Sequence, residues 1–204
     1  SKKLKSWLGP LLVMILVLIA FPLSIDISQY DLDKFYFSII VVSLLMTAFV
    51  ATEGMFEEDF EDGSLEQEFL KEKDFYKLVI SKIFVYVCLI GIPIAFIGAL
   101  FSFANGVAIG SFGKVFLLLS LSNLLLFNLF AFGNALSINK GAMLGVLSSL
   151  PLALPVIILL GRAIRSIQYG DGYFSVTTLM LGIGLMVSAI MPLIISAALK
   201  THID

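Results

Sequence analysis

Carboxylates crowd one stretch of this chain. From Glu53 to Lys77 it reads EGMFEEDFEDGSLEQEFLKEKDFYK, and acidic oxygens at that density raise divalent-cation binding as the first chemistry to test. The EF-hand arrangement fails, because setting Gly63 at the sixth loop position puts Phe60 at the third and Phe69 at the twelfth, where oxygen ligands are required. That leaves a solvated connector or a docking element for a partner. Phosphate chemistry fails on different grounds. The string Gly110-Ser111-Phe112-Gly113-Lys114-Val115 has too short a gap for a P-loop and no hydroxyl after its lysine. It reads as a turn with an interfacial lysine, and the chain is not expected to be an ATPase or any other enzyme by itself. One cysteine, Cys88, excludes an internal disulfide and a cysteine-based metal site. Arg162 and Arg165 suit bidentate pairing with carboxylates, and equally suit snorkelling to lipid headgroups.

The elements that must position these groups are apolar helices. Of the 204 residues 59% are hydrophobic and only 14% charged, with a mean hydropathy of +1.05. A soluble domain of this length cannot hide that much apolar surface. Crossing a bilayer takes roughly 20 apolar residues, and six stretches qualify: 8–25, 35–56, 78–103, 114–136, 142–161 and 174–199. The runs are continuous rather than alternating, which favours an all-α membrane protein over a barrel. The first run reads as an anchor rather than a removable signal. Breakers fall between the runs, at 26–34, Asn105-Gly106, Asn139-Lys140-Gly141 and 169–172.

With both termini inside, nine of the 13 lysines and arginines fall on the inner side, against Lys34, Lys114, Arg162 and Arg165 outside. That satisfies the positive-inside bias and places the acidic segment, 57–77, on the cytoplasmic side. Within that segment Asp62-Gly63 signals a turn. Ser64 with Gln67 forms a capping box that starts a short amphipathic helix at Leu65, with Leu65 and Phe69 on one face. The fourth span carries Ser120, Ser122, Asn123, Asn128 and Asn134, which at that depth should face other helices or a wet cavity. Small residues spaced four apart, Gly91/Ala95/Ala99 and Gly141/Gly145/Ser149/Ala153, mark packing seams within the chain or between copies. Pro93, Pro151, Pro155 and Pro192 should kink their spans.

Several of these residues carry a resemblance. The run Glu53, Phe56, Asp59, then Asp62-Gly63-Ser64-Leu65-Glu66-Gln67 resembles the signature of the haem exporter B family, the cytochrome c maturation protein B permeases within the ABC-2-type membrane subunits. Phe21-Pro22-Leu23-Ser24-Ile25 resembles the family's Phe-Pro-Leu element, and Leu150-Pro151-Leu152-Ala153-Leu154-Pro155 its paired-proline stretch. Lys82 also fits, and the likeness runs almost end to end.

The resemblance implies one transmembrane permease domain over 1–204, six helices, and a cytoplasmic coupling helix between the second and third. A separate ABC ATPase, which would hold the ATP, is implied to dock on Asp62, Gly63, Ser64, Leu65, Glu66, Gln67 and Phe69. A haem-handling membrane protein, a haem chaperone and a second copy of the chain are the other implied partners, besides membrane lipid; no nucleic acid is expected. The implied place is the bacterial inner membrane or the mitochondrial inner membrane.

No axial haem ligand set is evident. His202 reads as part of a solvated tail, Cys88 as a small buried residue, and Trp7 as an interfacial aromatic. Haem is therefore expected as cargo or on a partner rather than as a cofactor of this chain, with Arg162 and Arg165 as candidate contacts for its propionates. The open alternatives are an ABC-2 permease for a lipid or polysaccharide, and a membrane assembly factor that transports nothing.

Overall fold

The computed structural model describes residues 2–24, 32–71, 75–138, 142–170 and 172–203. Among them every regular element is helical: α1 Lys2–Ser24, α2 Leu32–Thr52, α3 Glu57–Glu61, α4 Ser64–Lys71, α5 Phe75–Tyr86, α6 Ile92–Ala104, α7 Ile109–Ser137, α8 Ala142–Tyr169 and α9 Tyr173–Ile203. A π turn, Val87–Gly91, joins α5 to α6, so Phe75–Ala104 runs as one rod. Among the described residues four helices are long and apolar enough to cross a bilayer: Phe75–Ala104, Ile109–Ser137, Ser148–Ile167 and Tyr173–His202. The described apolar stretches Leu8–Ser24 and Tyr36–Thr52 are shorter.

Several expected boundaries move: α1 begins at Lys2, α2 runs from Leu32 and ends at Thr52 rather than at 56, and α9 extends to Ile203. The rod containing α5 begins at Phe75 rather than at 78. The fourth span begins at Ile109, so the Gly110–Lys114 string is helical and not a turn. Neither of its glycines has a positive φ, and the bend falls earlier, at Gly106 with φ 91°. The fifth span continues to Tyr169 and carries Arg162 and Arg165 inside the helix. Long cationic side chains are compatible with a helix end that has reached the headgroup layer. The expected breaker at Asn139-Lys140-Gly141 lies outside the described residues.

α7 is the centre of the bundle. It packs against α2, the α5–α6 rod, α8 and α9, and 72% of its most apolar window is buried, against 22% for α9. A helix surrounded on all sides needs no polar face, and its polar residues turn to neighbours as expected: Ser122, Asn123 and Asn128 are fully buried. The hydroxyls of Ser120 and Ser122 donate to the carbonyls of Phe116 and Leu118 one turn back. Asn123 does something different. Its Nδ2 donates to the Gly91 carbonyl at 2.7 Å, at the end of the π turn. Pro93 lies two residues further on, and its ring and missing N–H oppose a regular α-helix through this stretch. The rod widens instead, with the Ile92 N–H donating to the Val87 carbonyl.

The small-residue seams pack within the chain. Ala95 and Ala99 are fully buried, and a Cβ on Gly91 would stand 3.5 Å from Asn123 Cβ. The closest crossing lies between α7 and α8. A Cβ on Gly133 would stand 2.6 Å from the Gly145 carbonyl oxygen, and one on Gly145 would stand 2.8 Å from the Gly133 carbonyl oxygen. Ser149 and Ser137 fill the flanks of this contact. Because the obstacles are backbone atoms, no rotamer relieves them. Gly133→Ala should cost about 1–3 kcal/mol and lower the melting temperature of the detergent-solubilised protein. Gly182→Ala, where a Cβ meets nothing within 4 Å, should leave it unchanged or raise it.

Candidate functional site

The acidic segment folds back on one end of the bundle. α2 stops at Thr52, and Gly54, with φ 69°, reverses the chain. The Phe56 N–H then points at α7, where Asn134 Oδ1 accepts it at 3.1 Å. Met55 and Phe56 are buried beside it. α3 follows, an element the sequence reading did not anticipate, and then Gly63, with φ 71°, turns the chain into α4.

Asp59 of α3 forms an ion pair with Lys82 of α5, the two side chains being 35% and 19% exposed. The Lys82 ammonium also lies 5.5 Å from the centre of the Phe56 ring. Asp59 and Lys82 are 23 residues apart in the chain. No local pattern announces the pair, although both residues belong to the expected set.

The helix start differs from the expected capping box. Ser64 is the first residue of α4 rather than its cap. Its N–H donates to Asp62 Oδ1 at 2.9 Å, and its hydroxyl donates to the Asp59 carbonyl at 3.2 Å. Asp62 therefore caps the helix, because its short side chain reaches back over the Gly63 turn. Ser64, its side chain first and its amide second, holds the Asp62 carboxyl below its ordinary value; desolvation opposes this, and Lys82 makes the smallest contribution to the lowering.

Leu65 requires a second correction. It is 1% exposed and belongs to the core, so it anchors α4 to the bundle and is not presented to a partner. Among the described side chains the outward surface presents Glu57, Glu61, Asp62, Glu66 and Gln67, joined by Glu53 just past the end of α2. Glu53 borders a cavity of about 10 Å³, lined also by Thr52, Asn134, Ser137 and Ser149, enough for one water. The side chain of Phe69 lies outside the described residues.

Other expected positions lie elsewhere. Pro22 is half-buried in the last turn of α1. Pro151 and Pro155 are exposed on α8, and Arg162 and Arg165 are exposed near its end. The structure thus assembles Phe56, Asp59, Asp62, Ser64 and Leu65 with Lys82 and Asn134 at one end of the bundle, and leaves the arginines and prolines out of that assembly. Asn134 was legible only as one of several polar residues in its span.

Residues 2–202 match the protein-family profile described as CcmB protein. The chain belongs to the CcmB family. Among curated relatives, "Heme exporter protein B" of Haemophilus influenzae is 28% identical over 203 residues, covering 97% of this chain and 90% of the relative. The protein of the same name in Pseudomonas aeruginosa is 30% identical over 164 residues, 79% of this chain and 74% of its own length. That of Escherichia coli K12 is 33% identical over 86 residues, 42% of this chain and 39% of the relative. The CcmB match spans the acidic cap and the described helices up to residue 202, so the assembly around Asp59 and Lys82 lies inside the matched region.

Two outcomes test the geometry of the cap. A double-mutant cycle of Asp59→Asn and Lys82→Met, read by thermal unfolding in detergent, should give a coupling of about 1 kcal/mol. The folded-state pKa of Asp62 is lowered, so its contribution is complete above the ordinary value of 3.8 and is lost as pH falls through the lower folded value. Amide protection in α4, followed by hydrogen exchange, should fall in that acid window. Asp62→Asn, which keeps an acceptor oxygen but does not titrate, should remove the pH dependence.

Proposed function

We propose that this chain is the transmembrane subunit of an ABC complex for c-type cytochrome biogenesis, coupling ATP hydrolysis on a separate protein to haem export or to release of a haem-loaded chaperone. The observation that carries the reading is the acidic α3–α4 cap, locked to α5 through Asp59–Lys82 and to α7 through Phe56–Asn134, in a chain that belongs to the CcmB family. The relatives' name supports haem as the cargo.

In this reading α1 and α2 complete a set of six spans. Both termini and the cap face the cytoplasm of a bacterial cell, or the corresponding side of a mitochondrial inner membrane, in keeping with nine cationic residues inside against four outside. Two copies pair with two ATPase subunits. The ATPase docks on Glu61, Asp62, Glu66 and Gln67, which are exposed, and its facing surface carries the opposite charge. Gly63 and Ser64 shape the turn that presents this face, and Leu65 keys the helix to the bundle. When ATP binding draws the two ATPases together, the cap moves as a unit. Lys82 passes the displacement to the α5–α6 rod and its π turn, while Asn134 passes it to α7.

Release of a haem-loaded chaperone is preferred to passage of haem through the chain. His202 is half-buried in the last turn of α9 rather than part of a solvated tail, and Cys88 is a half-buried residue of the π turn. A haem-handling membrane protein then holds the haem, and this chain supplies the mechanical step.

The test is an affinity pull-down from gently solubilised membranes, comparing the native chain with Glu66→Lys/Gln67→Lys. The native chain should recover an ATPase and a haem-handling protein, and the charge-reversed variant, at equal membrane level, should lose the ATPase. Deletion should abolish c-type cytochromes without lipid or glycan defects. Unchanged ATPase recovery by the variant would sink the docking surface. Recovery of lipid- or glycan-pathway proteins would sink the cytochrome pathway.

A further inference from the structure

A groove of about 580 Å³ opens between α2 and α8 toward the end of the bundle opposite α4. Its walls are aliphatic and aromatic, chiefly Phe37, Val41, Val42, Ile157 and Ile158, and Ser38, Arg162 and Arg165 also line it. The volume lies within the roughly 300–1,000 Å³ typical of small-ligand sites. Arg165 and Arg162 fall four and seven residues before Tyr169, the last residue of α8, or about 6 and 10 Å from that end of the helix. Ser38 stands at similar depth on α2, about 9 Å from Leu32. Both guanidinium groups are exposed, and neither forms an ion pair among the described residues.

We propose that this groove binds one anionic phospholipid of the adjoining leaflet, its phosphate held by Arg162 and Arg165 and an acyl chain lying between α2 and α8. Paired guanidinium groups at headgroup depth match a phosphodiester in charge and in fork geometry, and the apolar walls continue from them toward the bilayer centre. Two other occupants suit the groove less well. Across a two-fold axis at this face a second copy would set its own Arg162 and Arg165 beside these, a juxtaposition of like charges with no described acid to relieve it. Haem would find propionate partners, but the lining residues offer its iron no His, Cys, Met or Tyr. The proposal rests on the membrane placement of the chain and is independent of the pathway.

Gly161 gives a clean probe. It lines the groove, and a Cβ built on it meets nothing within 4 Å, so Gly161→Leu begins from an unobstructed position and places its bulk in the groove. The full chain would be purified in a lipid-free detergent and titrated with phosphatidylglycerol, phosphatidylcholine or haemin, counting bound molecules by native mass spectrometry. One phosphatidylglycerol should bind in preference to phosphatidylcholine. Arg162→Gln/Arg165→Gln should weaken it about tenfold or more, and Gly161→Leu should weaken both lipids. Should the arginine variant fail to fold, Gly161→Leu and the headgroup preference decide the matter. Equal binding of the two lipids by the native chain, undiminished phosphatidylglycerol binding in the variants, or displacement of that lipid by stoichiometric haemin would each overturn the proposal. So would high-yield cross-linking to a second copy in membranes by Ser38→Cys in a Cys88→Ser background.

Discussion

Hydrocarbon offers a peptide group no hydrogen-bond partner, so any departure from regular helix inside this bundle has to be answered by another part of the chain. α7 supplies several of the answers. Asn123 bonds the Gly91 carbonyl where the α5–α6 rod widens before Pro93, and Asn134 accepts the Phe56 N–H where the chain leaves α2. Asn128 bonds its own helix at the Leu124 carbonyl and reaches Ser188 of α9 at 3.4 Å. An unpaired peptide group in such surroundings would cost several kcal/mol, which accounts for Asn123 and Asn134. Asn128 answers no break in a neighbouring helix, and the buried Oδ1 atoms of Asn123 and Asn128 have no partner among the described residues.

The same bonds define how the bundle can move. α7 and α8 meet backbone to backbone at Gly133 and Gly145, a contact with little freedom to slide. The acidic cap meets the bundle through the buried Met55, Phe56 and Leu65 and the half-buried Phe60, together with the Lys82 ion pair and the Asn134 bond. A force applied to the cap is therefore delivered through these contacts, to the rod that contains the π turn and to the rigid α7–α8 pair. A helix with a π turn has one hydrogen-bond register already altered and offers a natural place to bend.

Charge divides the two ends of the molecule. Among the described side chains carboxylates dominate the exposed surface around α3 and α4, while the opposite end of α8 presents two guanidinium groups, without an ion pair among the described residues, beside an apolar groove. Between them the polar side chains are hydroxyls and amides, and the hydroxyls of Ser43, Thr47 and Ser102 return to carbonyls one turn back. The interior is thus electrically quiet, and the ends are suited to partners of opposite sign.

Much of the architecture follows from properties that are local along the chain. Continuous apolar runs demand helices in lipid, and they located the long helices, although α8 runs eight residues past its expected end. Polar residues in the fourth span had to turn inward, and Gly63 marked the turn before α4. What local properties cannot carry is pairing. That Asp59 meets Lys82, that Asn134 rather than Asn128 closes the Phe56 turn, and that Gly133 faces Gly145 all depend on the rotation and depth at which helices pack. Asp62 displaced Ser64 as the cap because the Gly63 turn brings its carboxylate over the helix end, and Leu65 turned inward because the bundle had an apolar place for it. An amphipathic segment states only that it has two faces. Which one is buried is decided by the surface it meets.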